Sequence, residues 1–236
     1  MNTRFPDRAS AGRALADRLG PLDPAETVVL ALPRGGVPVA YEIAARIGAP
    51  LDVVLVSKIG APGQPELALG AVVDGDDPVV VVNCALARSL GFTAGEVRAM
   101  AADGLKQIER RRDLYRGGRA PPSVAGKTAI VVDDGIATGA SARAAVQALR
   151  RRGARRVVLA VPVAPGGVLA GFSEDVDEVV CIAEPRPFVS VGSYYDDFGP
   201  VSDKTVVALL AAAARDAEKG RAGARRRPGR RRSRPG

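Results

Sequence analysis

The residues best suited to chemistry lie in one run, Ala129-Ile-Val-Val-Asp-Asp-Gly-Ile-Ala-Thr-Gly-Ala-Ser141. Its first four residues are apolar and predict a buried strand, with Asp133 and Asp134 at the C-terminal end. Gly135, Ala137, Thr138, Gly139, Ala140 and Ser141 then make a compact turn that feeds a helix N-terminus. A turn of small residues lets backbone N–H groups close around an anion, and the helix dipole favours its charge. Thr138 and Ser141 add hydroxyl donors, while Gly135 and Gly139 permit an approach that a Cβ would block. A phosphate is the guest such a turn suits. Two carboxylates beside a phosphate would repel it unless they face something else. Sugar hydroxyls, or waters on a divalent cation, fill that role. The run is neither a P-loop nor a dinucleotide Gly-x-Gly-x-x-Gly fingerprint.

The rest of the composition removes alternatives. The chain has 236 residues and no histidine, so a Ser-His-Asp triad, a Cys-His pair and a His-ligated metal are excluded. Cys84 and Cys181, the only cysteines, make neither a zinc cluster nor a disulfide framework, and each adjoins a Val-rich run, so both are expected to be buried thiols. The formal charge is +8, but Lys219–Gly236 carries nine Lys/Arg and no acid. Removing those nine leaves 25 basic against 26 acidic side chains, a net of −1, so the excess belongs to the tail. The opening residues Met1–Pro6 lack an apolar core, and the longest apolar stretch, Val206–Ala214, is nine residues. Neither a secretory signal nor a membrane span is expected, and the reading is a cytoplasmic protein.

These residues need a scaffold. Apolar strand-like runs at 28–32, 51–56, 67–73, 78–82, 128–132, 157–163 and 179–183 alternate with helical patterns at 10–19, 38–47, from Thr93 to about Arg116, 141–152 and 204–216. That alternation predicts an α/β fold of βαβ units with a mainly parallel central sheet flanked by helices. One α/β domain is expected over residues 1–216, with a small C-terminal hood at about 184–203. Residues 217–236 lack apolar side chains other than Ala and are expected to be a disordered Arg-rich tail.

The 129–141 run resembles the phosphoribosyl-diphosphate (PRPP) signature of type I phosphoribosyltransferases, a Rossmann-like family. Two further features support the resemblance. Ala125-Gly126-Lys127 is similar to the family's lead-in to that strand, and Pro33-Arg34-Gly35-Gly36 is similar to its diphosphate loop. More closely, Leu32–Ala40, Lys58–Gly63 and Val132–Ala140 resemble a bacterial subgroup of the family, and the likeness covers about residues 5–212. It implies a reaction without a protein nucleophile, in which Mg2+ helps diphosphate to leave ribose C1. It assigns the 5′-phosphate to Ala137–Ser141, and the ribose hydroxyls and metal-bound water to Asp133 and Asp134. The diphosphate falls to Arg34, Gly35 and Gly36, in a loop whose peptide is often cis in the family. Lys58 and arginines of the 110–116 stretch are the implied basic cover, with residues 116–124 at the place of a mobile catalytic loop.

The implied acceptor site is the hood, where Phe188 or Tyr194 would stack a base and Asp196 or Asp197 would accept from a ring N–H. The segment 188–198 holds four of the nine aromatics in the chain. Enzymes of the family acting on 6-oxopurines carry Asp before the loop Thr. Ala137 stands there, which disfavours hypoxanthine and guanine. The partners implied are PRPP, a small-molecule acceptor and a second copy of the chain in a homodimer. A different reading is a non-enzymatic PRPP- or nucleotide-sensing regulator whose basic tail contacts nucleic acid. A weaker third is hydrolysis of a nucleotide or phosphosugar in the same pocket.

Overall fold

A computed structural model describes residues 4–75 and 77–225. In chain order the helices and strands are α1 (Arg8–Arg18), β1 (Thr27–Ala31), α2 (Gly36–Ile47), β2 (Leu51–Val53), β3 (Val56–Ala61), β4 (Gln64–Val73), β5 (Val79–Val82), α3 (Cys84–Ser89), α4 (Ala94–Ala99) and α5 (Ala102–Arg116). There follow β6 (Thr128–Val132), α6 (Ala140–Arg151), β7 (Arg156–Val163), β8 (Glu178–Ala183) and α7 (Asp203–Arg225).

Every residue of β1 and β6 is buried, as expected of apolar strands covered on both faces. These strands lie at the centre of a five-stranded parallel sheet of order β2-β1-β6-β7-β8. From β1 the chain crosses to β2 on one side, whereas from β6 it proceeds to β7 and β8 on the other. The strand order therefore reverses between β1 and β6, the place where ligands bind in open α/β sheets. One face of the sheet packs Val29, Ile130 and Val158 with Leu15, Ile43 and Leu210 of α1, α2 and α7. The other packs Leu30, Val131 and Leu159 with Ala145 and Leu149 of α6.

The parallel sheet was expected; a second, antiparallel sheet of order β3-β4-β5 was not. The single strand expected at 51–56 divides between the two. Val54 N–H still donates to Ala31 O at 2.9 Å, while Leu55 O already accepts from Asp74 N. The helical pattern after Thr93 also divides. Thr93 and Glu96 form a capping box that starts α4, and α5 begins anew at Ala102. Cys84 corrects its expectation: it opens α3, behind the Asn83 cap, and is exposed. Cys181 is half-buried on β8, and burial pushes its thiol up to about 11. The last helix passes the expected end at Asp216 and runs to Arg225, where Ala, Glu, Lys and Arg of good helix propensity outnumber Gly220 and Gly223. The rest of the expected tail, 226–236, lies outside the described residues.

Candidate active site

The two expected anion loops follow neighbouring strands, β1 and β6, at the reversal point. Leu32 N–H donates to Val132 O at 2.8 Å and holds the two strand ends side by side. A Cβ on Gly36 would come within 2.6 Å of Val132 O and 2.9 Å of Asp133 Cα, and one on Gly35 would overlap the Asp134 carboxylate. Glycine at both positions is what lets the Pro33–Gly36 loop lie against the acidic pair. The Pro33–Arg34 peptide is cis, as the resemblance implied for this loop.

The turn after β6 is pinned at one point and open elsewhere. Ile136 is buried and its N–H donates to Val163 O at 2.9 Å. Gly139 caps α6 with φ +76°, and a Cβ there would sit 2.9 Å from the Phe172 ring. Between them Ala137 and Thr138 are exposed. Among the described residues the amides of Ala137, Thr138 and Gly139 have no backbone partner. The first amides of α6 lack one by the geometry of any helix start. The hydroxyls of Thr138 and Ser141 are likewise unengaged among the described residues. These unengaged donors follow one another along a single turn at a helix N-terminus, the setting that suits a tetrahedral anion.

Asp133 and Asp134 stand beside this turn, with Asp134 N–H donating to Asp133 Oδ1 at 2.9 Å. Burial pushes the Asp133 carboxyl well above the usual carboxylate range, and the charge of Asp134 pushes it further. Burial also raises Asp134, against the downward pull of Arg8. Arg8 Nε donates to Asp134 Oδ2 at 2.7 Å, with side chains only 12% and 14% exposed. The same guanidinium lies 3.9 Å over the Phe198 ring and donates to Gly199 O at 2.8 Å. The Tyr195 hydroxyl donates to the backbone oxygen of Asp134 at 2.6 Å, and burial raises its pKa. Two adjacent carboxylates that ionise only reluctantly are a donor set that gains from a hard cation. Among the described residues no three His, Cys, Asp or Glu gather as a cage.

The basic groups divide in two. Lys58, Arg111 and Ser141 line a cleft of about 610 Å³. Arg34, Arg111, Tyr115 and Asp203 line an adjoining one of about 350 Å³. Arg111 is common to both. Arg34 is exposed, its Nη1 3.8 Å from Asp203 Oδ1, which also accepts from the Tyr115 hydroxyl at 2.5 Å. Burial and then Asp203 push Tyr115 up to about 12. Arg112 and Arg116 correct their expectation as diphosphate cover. Arg112 pairs with Asp74 at 2.5 Å, and Arg116 is buried, with Asp52 at 3.0 Å and Asp74 at 2.7 Å. They tie α5 to both sheets. Arg119, Pro121 and Pro122, in the segment expected as the catalytic loop, line a different cavity.

The hood segment sits on the turn: a Cβ on Gly135 would meet Val191 Cγ1 at 2.5 Å. Phe188 and Tyr194 stack with centroids 5.6 Å apart, Phe188 half-buried and Tyr194 buried. Asp196 is taken up by Arg4 at 2.6 Å, and Asp197 accepts from Gly199 N at 3.0 Å. The structure thus brings Arg34, Gly35, Gly36, Asp133, Asp134 and the turn together, sets Lys58 in a cleft shared with Ser141, and leaves Asp196 and Asp197 in other contacts.

Residues 9–198 match the family model described as "Phosphoribosyl transferase domain". The chain belongs to the phosphoribosyltransferase family. A "Putative phosphoribosyl transferase" of Mycobacterium tuberculosis is 49% identical over 212 residues, which are 90% of this chain and 47% of that protein. The chain therefore spans about half the length of the curated relatives it matches at this identity. A uracil phosphoribosyltransferase of Lactobacillus gasseri is 35% identical over 88 residues, 36% of this chain and 42% of that one. The crystal structure of TT1426 from Thermus thermophilus is 44% identical, with a TM-score of 0.78 over 89% of this chain and 98% of that chain.

Within this phosphoribosyltransferase domain, sequence reasoning missed Arg8, Tyr195 and Asp203. Each acts on the site through a contact between residues distant along the chain, and no local pattern marks such a contact. Arg111 was legible only as one of several arginines. Its spacing to Tyr115, one helical turn, is the signal that sets it on the same face as that residue.

Proposed function

We propose that this domain binds PRPP and transfers its 5-phosphoribosyl group to a nitrogenous base or similar acceptor, releasing diphosphate. The observation that carries this reading is the contact of the two loops, Gly35 against Asp134 and Gly36 against Asp133, at the reversal of strand order. An anion turn and a second, arginine-bearing loop on either side of a carboxylate pair match a ligand with phosphates at both ends of a sugar.

In this arrangement the 5′-phosphate is held by the amides of Ala137–Ser141 and the hydroxyls of Thr138 and Ser141. Asp133 and Asp134 take the ribose hydroxyls, and the same carboxylates would hold a magnesium ion. A bound magnesium ion would supply charge neutralisation of the diphosphate. Arg34 and the Gly35–Gly36 backbone orient the leaving diphosphate, with Lys58 and Arg111 above it. The C1–O bond breaks as an acceptor nitrogen forms its bond to C1, and no protein atom becomes covalently attached. Donors aimed at the departing diphosphate stabilise the charge that develops on it. Tyr195 and Arg8 fix the backbone and carboxylate of Asp134.

Phe188 is the more accessible of the stacked aromatic pair and is the proposed platform for the acceptor. Ala137 and the local likeness to a uracil enzyme favour acceptors other than 6-oxopurines. The test is diphosphate release from PRPP over a panel of uracil, adenine, hypoxanthine and small amines. The reading expects release that depends on one acceptor class and on magnesium. No acceptor-dependent release across the panel would contradict it.

A further inference from the structure

A second cavity lies at the far end of α6, with a volume of about 840 Å³, larger than either cleft of the candidate site. It shares no lining residue with those clefts. Gly139 caps the N-terminus of α6 at the phosphate turn, whereas Leu149, Arg151 and Arg152 at its other end close this cavity. At 1.5 Å per residue the two ends are roughly 16 Å apart.

The lining has two characters. Pro78, Val79, Val80 and Pro122, all partly exposed, form an apolar wall. Arg98, Arg112, Arg116, Arg119, Arg151 and Arg152 surround it. The carboxylates nearby are Asp52 and Asp77 in the lining and Asp74 behind it, and the ion pairs of Arg112 and Arg116 engage Asp74 and Asp52. Among the described residues Arg98, Arg119 and Arg151 take part in no ion pair. Arg119 is instead oriented by its Nε donating to Arg116 O at 3.1 Å. Guanidinium groups in excess over carboxylates recognise phosphate by paired N–H donors. The volume falls in the range of small-molecule sites, and an apolar wall with a few polar anchors is their usual make-up.

We propose that this cavity is a second ligand site, separate from the PRPP cleft, for a nucleoside di- or triphosphate. The base lies on Val79, Val80 and Pro122, and the phosphates on Arg98, Arg119 and Arg151. The proposal stands whether or not the domain transfers phosphoribose, since it uses none of that site's residues. The two sites share α5, which presents Arg111 and Tyr115 to the active-site clefts and Arg112 and Arg116 to the cavity.

The probe is ATP, titrated calorimetrically into the full chain, with inorganic triphosphate as the comparison. Three proteins are compared: the unaltered chain, Arg98→Gln with Arg151→Gln, and Thr138→Val with Ser141→Ala. Arg98 and Arg151 are exposed and outside the ion pairs, so the first variant is expected to melt as the unaltered chain does. The expected result is a loss of ATP affinity of roughly tenfold or more in the arginine variant, since each charge-assisted contact contributes at that level. The turn variant should bind ATP unchanged, and inorganic triphosphate should bind at least about tenfold more weakly than ATP for lack of a base. ATP affinity unchanged in the arginine variant, lost in the turn variant, matched by inorganic triphosphate, or undetectable at millimolar concentration in the unaltered chain would each overturn the proposal.

Discussion

The guanidinium of Arg8, in the first helix, donates to the carboxylate of Asp134 at 2.7 Å, across 126 positions of sequence. This pair links the N-terminal helix to the acidic end of β6, and the stack on Phe198 extends it to the hood. Both side chains are largely buried, so removing one partner leaves the other desolvated without compensation. Arg8→Met and Asp134→Asn should each destabilise the fold, and the double variant by less than their sum, with a coupling of about 1–3 kcal/mol. Urea unfolding of the four proteins measures it. Strict additivity would show that the pair contributes nothing beyond its separate residues.

Gly35 separates two demands on the site. A Cβ at this position would overlap the Asp134 carboxylate, so Gly35→Ala must displace either the Pro33–Gly36 loop or the acidic pair. The expected outcome is a cost of about 1–3 kcal/mol in stability, the range for overpacking, together with weaker PRPP binding. Chemical denaturation and PRPP titration check the two parts. A variant of full stability and full affinity would mean that the loops do not need to touch.

The arginines of α5 should divide by function. Arg116 is buried between Asp52 and Asp74, and burial raises the Asp52 carboxyl even with Arg116 beside it. Arg116→Leu strands those carboxylates and should cost about 3–5 kcal/mol. Arg111 is exposed and lines both active-site clefts, so Arg111→Ala should leave the melting temperature unchanged while lowering diphosphate release. Melting curves and product assays on the two variants decide the matter, and the reverse pattern would contradict the assignment.

How much of this was legible in the sequence follows from the range of the forces involved. The β6 strand and its turn were legible because four apolar residues, two acids and a glycine-rich run are local features. The same holds for β1 with its Pro-Arg-Gly-Gly loop. The antiparallel sheet was not, since Val56–Ala61 places Lys58 and two small residues among its apolar ones and carries no clean alternation. Whether an apolar run belongs to one sheet or two depends on partners elsewhere, as at Val54 and Leu55. The division of labour between Arg111 and Arg116 was hidden for the same reason: it is set by Asp52 and Asp74, more than 40 positions earlier for Arg116. Asp196 and Asp197 read as acceptors for a ring N–H of the base, and only the fold supplies Arg4 and Gly199 N as their partners.

The two thiols should differ in reactivity. Burial lifts Cys181 from its ordinary 9.0 to about 11, and Cys84 is exposed. A raised thiol pKa means that the folded state favours the neutral form. The stability this gives is full below pH 9 and is lost as pH rises towards about 11. At pH 8 only ~0.1% of Cys181 is thiolate, the reactive form. A disulfide reagent at that pH should label Cys84 in a fast phase and Cys181 slowly, with the slow phase accelerating steeply as pH rises. Peptide mapping after a short exposure checks this, and equal labelling would contradict the burial of Cys181.

The central claim is that Asp133, Asp134 and the two loops form a PRPP site. Calorimetric titration of PRPP with and without magnesium, into the unaltered chain and into Asp133→Asn with Asp134→Asn, tests it most directly. The account predicts binding that strengthens with magnesium in the unaltered chain and is lost in a double variant that remains folded. No heat at millimolar PRPP in the folded, unaltered chain, or undiminished affinity in the variant, would contradict it.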